Sequence, residues 1–166
     1  MKKLFLIGVI MIAGIIGAKA QFTFGAGVNV GIPVGDAGDI SSFTIGGEIH
    51  GEYKFSEKFS GIVTSGYTHF IGKDLGGGIK LNYGAVPLLA GVRVYPTEKF
   101  FIGGQLGYGF FTGDASGGGF CYKPQVGYDA GTVQVALNYN GITKNGSTIG
   151  WIALSGIFKF GGGGEK

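Results

Sequence analysis

From Gln21 onward, apolar side chains recur at every second position, and no stretch sustains the roughly 3.6-residue period of an amphipathic helix. Such alternation marks strands with one greasy and one hydrophilic or small-residue face. Gln21 to Pro33 sets Phe22, Phe24, Ala26, Val28, Val30 and Ile32 against Thr23, Gly25, Gly27, Asn29 and Gly31. Ser41 to Phe55 sets Phe43, Ile45, Ile49, Tyr53 and Phe55 against Thr44, Gly46, Glu48, His50, Glu52 and Lys54. Phe59 to Ile71 alternates less cleanly. Asn82 to Tyr95 places Val86, Leu88, Ala90, Val92 and Val94 opposite Pro87, Leu89, Gly91 and Arg93, although a proline ordinarily marks an edge strand or a bulge.

The second half repeats the pattern. Phe100 to Thr112 opposes Ile102, Leu106, Tyr108 and Phe110 to Gly103, Gln105, Gly107 and Gly109. A sixth segment opposes Tyr122, Val126 and Tyr128 to Lys123, Gln125, Gly127 and Asp129. The seventh alternates Val133, Val135, Leu137 and Tyr139 with Gln134, Ala136, Asn138 and Asn140. The eighth, Ile149 to Phe160, opposes Ile152, Leu154, Phe158 and Phe160 to Trp151, Ala153, Ser155 and Lys159. Between segments lie turn-forming clusters whose lengths read as long after the first, third, fifth and seventh strands and short elsewhere. That is the expected alternation of external loops and periplasmic turns in an outer-membrane barrel, with loops near residues 34–40, 72–80, 113–119 and 143–147.

The first twenty residues belong to a different pattern. Lys2 and Lys3 precede an apolar run from Leu4 to Ile16, and Ala18-Lys19-Ala20 supplies an A-x-A cleavage signal before Gln21. This reads as a secretory signal peptide, its apolar run falling short of the roughly 20 residues of a spanning helix. Cleavage would remove Lys2, Lys3 and Lys19, lowering Lys and Arg from 13 to 10, equal to the 10 Asp and Glu. A neutral mature chain gives no electrostatic ground for a nucleic-acid partner. The single Cys121 has no internal disulfide partner and reads as an inert packed thiol.

Alternation alone does not say whether the greasy face looks inward, as in a periplasmic sandwich or lipocalin-like barrel, or outward into lipid. The export signal favours lipid, as do segments meeting the roughly 9 to 11 residues of a tilted membrane strand. So do aromatics near strand ends, which would form an interfacial girdle: Phe22, Phe55, Phe59, Tyr95, Phe100, Phe101, Phe111, Tyr139 and Phe160. In lipid only a closed barrel leaves no sheet edge unpaired. The expectation is therefore an all-β fold: an eight-stranded antiparallel up-and-down transmembrane β-barrel over 21–160, after a cleaved signal peptide over 1–20 and before a flexible Gly-rich tail over 161–166.

Candidate chemistry lies on the inner faces. Glu48, His50, Glu52, Lys54, Arg93, Gln105, Lys123, Gln125, Asp129, Gln134, Asn138 and Lys159 would project into a lumen that eight strands make only wide enough for side chains. Opposite charges enclosed together favour paired networks, because an unpaired buried charge is costly. The reading is a polar plug; the alternative is a gated channel or ligand cavity formed by Glu48, Glu52, Arg93 and Lys123. Glu48, His50 and Glu52 share one strand face, yet positions two residues apart along a strand are separated by about 7 Å, so they do not form a metal site by themselves. His69, with Ser65 and Asp74 near in sequence, is the position a lipid hydrolase would use, but no hydrolase motif surrounds it. The runs Gly76–Gly78, Gly117–Gly119 and Gly161–Gly164 lack the Lys-Ser/Thr of a phosphate loop and read as loop tips and tail. No catalytic residue, metal or cofactor is expected.

The leader ending AKAQF, the run AVPLLAGVRVYPTEKFFIGGQLGYGFF and the terminal strand WIALSGIFKF resemble the small outer-membrane barrels of the OmpA/OmpX-like kind. This resemblance spans the mature chain and implies outer-membrane lipid and the outer-membrane assembly machinery as partners. Barrels of that kind usually end on an aromatic residue, whereas here GGGGEK follows Phe160. The function it implies is a non-enzymatic integral membrane protein, structural or surface-interacting, with any binding partner met by the loops.

Overall fold

The computed structural model describes residues 22–74, 82–115 and 117–160. The proposed leader over 1–20, the tail over 161–166 and the Gly76–Gly78 run lie outside them. Among the described residues the chain forms β1 (Phe22–Val34), a single helical turn α1 (Asp36–Ile40), and then β2 (Ser41–Lys54), β3 (Phe59–Gly72), β4 (Tyr83–Val94), β5 (Phe100–Gly113), β6 (Gly117–Asp129), β7 (Val133–Lys144) and β8 (Ser147–Phe160). Each strand pairs antiparallel with its sequence neighbours, and β1 pairs with β8 from Phe24↔Phe160 to Val34↔Gly150, closing the barrel.

The alternation read from the sequence becomes the two surfaces of this wall. Val28, Ile49, Val63, Leu88, Ile102, Leu106, Leu137 and Leu154 point outward and are exposed, while Asn29, His50, Thr64, Arg93, Gln105, Gln125, Asn138 and Ser155 point inward and are buried. The protein is thus inverted relative to a soluble barrel. An apolar exterior of this extent is stable in hydrocarbon, where the closed sheet satisfies the backbone polar groups.

Prolines sit inside three strands, each at a position that spares most of the ladder. The β3–β4 pairing runs to Ser65↔Leu88 and resumes in the same register at Thr68↔Ala85, so Pro87 falls in the gap. The β6–β7 pairing breaks between Tyr122↔Gly141 and Gln125↔Asn138, around Pro124. Pro33 pairs with Trp151 of β8 but lies beyond the last β1–β2 pair, Gly31↔Thr44. A missing N–H therefore interrupts one neighbour's ladder and leaves the other intact. Pro87 does not make β4 an edge strand, because a closed barrel has no edge.

Two expectations about the connections are corrected. The sequence suggested long loops over 113–119 and 143–147. Instead Gly117–Gly119 belong to β6, paired with Gly109, Phe110 and Phe111, and only residues 114–116 join β5 to β6. β7 and β8 are joined by Asn145–Gly146, both at positive φ (51° and 87°), the hallmark of a two-residue hairpin turn. The larger connections follow β1, where α1 packs against β8 and β1, and β3, over residues 73–82.

The aromatic girdle is likewise revised. Phe55, Phe59, Phe100 and Phe160 are exposed at strand ends as expected, but Tyr95 and Phe101 turn into the lumen and are buried. Their rings pack with centroids 5.7 Å apart at the turn side of the barrel, the end that carries the β2–β3, β4–β5 and β6–β7 connections.

Candidate functional site

The inward residues of β2, β4, β6, β7 and β8 meet in the turn-side half of the lumen. Arg93 Nη1 donates to Glu52 Oε2 at 2.7 Å and to Gln134 Oε1 at 3.1 Å, and Nη2 donates to Gln125 Oε1 at 3.2 Å. The other Glu52 oxygen accepts from Ser60 Oγ and from the Tyr95 hydroxyl, each at 2.6 Å. Gln134 Nε2 donates to Asp129 Oδ2 at 2.9 Å, and Lys159 Nζ donates to both Asp129 oxygens at 2.7 Å. One connected network thus runs from β2 across the lumen to β8. Tyr95, one residue past the end of β4, has its phenol pushed well above its ordinary range by burial and by the Glu52 carboxylate, so it stays a donor.

A second group lies nearer mid-barrel. Lys123 Nζ donates to Glu48 Oε2 at 2.8 Å, Asn138 Nδ2 donates to Ser155 Oγ at 3.0 Å, and Asn140 Nδ2 donates to Asn138 Oδ1 at 2.6 Å. The ion pairs among the described residues are therefore Arg93–Glu52, Lys123–Glu48 and Lys159–Asp129, each mostly enclosed. His50 lies between the first two along β2, with no hydrogen-bond partner among the described residues on either ring nitrogen. Gln105 is also buried, its side-chain amide without a partner among the described residues. Lys54 makes no ion pair among the described residues and instead places its ammonium 5.2 Å from the Tyr95 ring centroid.

The loop-side half of the lumen has a different character, which the sequence reading of a wholly polar plug did not include. Phe70, Tyr83, Ala85, Leu89, Cys121, Ile142, Trp151 and Ala153 form a buried apolar cluster. The Phe70 and Tyr83 rings stack with centroids 4.5 Å apart and 11° between planes, and Trp151 meets Phe70 edge-on at 5.1 Å. The signal was present in β3, where Ile62 and Phe70 on the inner face accompany Val63 and Ile71 on the outer, blurring the alternation. An apolar cross-layer of this kind excludes water and ions from a through-path.

The hydrolase geometry is not formed. Ser65 Oγ donates to the Pro87 carbonyl at 3.0 Å, and His69 Nδ1 lies 3.3 Å from the Tyr67 hydroxyl, so the two lack the nucleophile–base hydrogen bond. Both sit on the outer-facing side of β3, where Val63, Tyr67 and Ile71 are exposed. Among the described residues no group of three or more His, Cys, Asp or Glu side chains converges as a metal site.

An apolar exterior around a charged interior, in a closed wall of eight antiparallel strands, defines the class: a small transmembrane β-barrel of the outer-membrane type. No protein-family model and no curated protein sequence matches the chain. Solved structures do. The outer-membrane attachment invasion locus protein Ail of Yersinia pestis superimposes with a TM-score of 0.62 at 13% identity, over 86% of this chain and 99% of Ail. Neisserial surface protein A gives 0.58 at 15% identity, over 84% of this chain and 96% of its own. The outer membrane protein OprG of Pseudomonas aeruginosa gives 0.51 at 15%, over 86% and 97%. At these identities the likeness is one of fold, and it extends over nearly the whole of each neighbour.

Proposed function

We propose that the protein is an integral outer-membrane β-barrel, exported by the leader over 1–20, with no enzymatic activity and with a structural or surface-interacting role. The observation that carries this reading is the inversion of the fold: Val28, Ile49, Leu88, Leu106 and Leu137 outside, and the Arg93–Glu52, Lys123–Glu48 and Lys159–Asp129 pairs inside. The outer-membrane assembly machinery would have to read Phe160 at the end of β8 with GGGGEK following it, and the connections after β1 and β3 are the surfaces for a partner outside the cell. The inward residues Glu48, His50, Glu52, Lys54, Arg93, Gln105, Lys123, Gln125, Asp129, Gln134, Asn138 and Lys159 serve to hold the barrel shut, with His50, Lys54 and Gln105 filling space beside the hydrogen-bonded groups. A conducting reading would require the Phe70–Tyr83–Trp151 layer to part.

Gel mobility before and after boiling, with and without detergent, tests the proposal. A folded species that migrates differently from the boiled one and precipitates when detergent is withdrawn supports it. A monodisperse β-rich protein in plain buffer would place the apolar faces inward and refute it.

A further inference from the structure

Above the Phe70–Tyr83–Trp151 layer the described residues enclose a cavity at the barrel mouth. A cavity of about 140 Å³ is lined by Ile40, Tyr83, Phe111, Asp114, Ala115 and Ile149, brought together from α1, β4, β5, the β5–β6 connection and β8. Ile40, Phe111, Ala115 and Ile149 are the half-buried residues that rest on the apolar layer, so the cavity is the unfinished top of that core. Its floor is closed by the stacked rings.

The polar side chains at its edge are few. The Tyr83 hydroxyl accepts from Ser41 Oγ at 3.4 Å, and Asp114 Oδ2 accepts the Asn82 backbone N–H at 3.0 Å. An ionised carboxylate offers about four acceptor positions, so Asp114 keeps acceptor capacity after Asn82 is served. An apolar cavity of about 150 Å³ holds a benzene-sized molecule. A long acyl chain is too large for this space, and Asp114 on its lining disfavours an anion.

We propose that this mouth cavity binds a small uncharged aromatic molecule carrying one hydrogen-bond donor, of the indole or phenol class. Its ring lies against Ile40, Phe111 and Ile149, and its N–H or O–H points to the Asp114 carboxylate. The site rests on the membrane-barrel reading only in that this end faces outward; the closed floor makes it a pocket and not the entrance to a pore.

The test uses the full chain expressed in the outer membrane of a host cell, purified into lipid nanodiscs and followed through its isoleucine methyl resonances while indole is added. Ile40 and Ile149 should shift saturably, whereas lipid-facing Ile45, Ile102 and Ile152 should drift linearly as indole partitions into the bilayer. 1-Methylindole, which lacks the N–H, should bind roughly tenfold more weakly. Ala115→Trp should fill the cavity and abolish the saturable shift in a protein that keeps its folded gel mobility, and Ala115→Phe serves the same end if the first variant does not fold. Linear drift at Ile40 and Ile149, or a saturable shift that survives the filled variants, overturns the site. Equal affinity for 1-methylindole overturns the role of Asp114. Absence of folded mobility in the parent would count against the barrel reading itself.

Discussion

The Arg93 guanidinium donates to the Glu52 carboxylate at 2.7 Å while lying 4.2 Å from the centroid of the Phe101 ring. Both charged side chains are almost wholly enclosed, at 1% and 3% exposure. Removing one member of such a pair strands the other charge, at a cost of about 3–5 kcal/mol. Arg93→Met should therefore lower unfolding stability by about that amount, whereas Arg93→Met combined with Glu52→Gln should recover much of the loss. Urea titrations of reversible folding in lipid vesicles measure both, and a double variant no better than the single would contradict the pairing.

Leu106 lies midway along β5 and is 58% exposed. On a lipid-facing surface near the bilayer midplane, Leu106→Arg should cost about 2–4 kcal/mol. A change of less than about 0.5 kcal/mol in vesicle refolding would show that Leu106 does not face hydrocarbon.

The inner wall includes glycines where the chains come too close for any side chain. A Cβ on Gly27 would stand 2.1 Å from the Gly156 carbonyl oxygen, a backbone atom with little freedom to retreat, while a Cβ on Gly156 meets nothing within 4 Å. Gly27→Ala should destabilise by about 1–3 kcal/mol. Gly156→Ala, on the lipid side, should change stability by less than about 0.5 kcal/mol. The paired unfolding midpoints test this contrast, and equal losses would refute it.

Much of this architecture was legible because a strand writes its two faces into the sequence at alternate positions. Glu52, Arg93, Gln134 and Lys159 could be assigned to one enclosure before any geometry was known, since each stands out against apolar neighbours. Parity also held the information that Phe101 shares a face with Gly103 and Gln105, and Tyr95 with Arg93, but their place near strand ends made a girdle the more obvious reading. Where the lumen is apolar the contrast fades, so Phe70 and Tyr83 did not announce a core, and Cys121 read only as a packed thiol. Gly117–Gly119 carry no side chains to alternate, and a strand made of them looks like a loop. Which residues pair across the lumen depends on the stagger of the strands around the wall, a property of the closed sheet and not of any one segment.

Cys121 is fully buried within the apolar cluster of the loop-side lumen. A maleimide carrying a polymer tag should leave it unmodified in the folded barrel and modify it after boiling in SDS. Labelling of the folded form at the unfolded rate would show that the loop-side core is open to solvent.

The seam between β1 and β8 gives the barrel a timetable. Phe24 finds Phe160, and Val34 finds Gly150, only when the final strand has left the ribosome and crossed into the envelope. Until then the opening strand presents a row of unsatisfied amide and carbonyl groups with no permanent neighbour. A chain shortened within Ser147–Phe160 therefore loses the closure of the whole cylinder along with the missing piece, which makes the last strand the checkpoint for everything encoded before it.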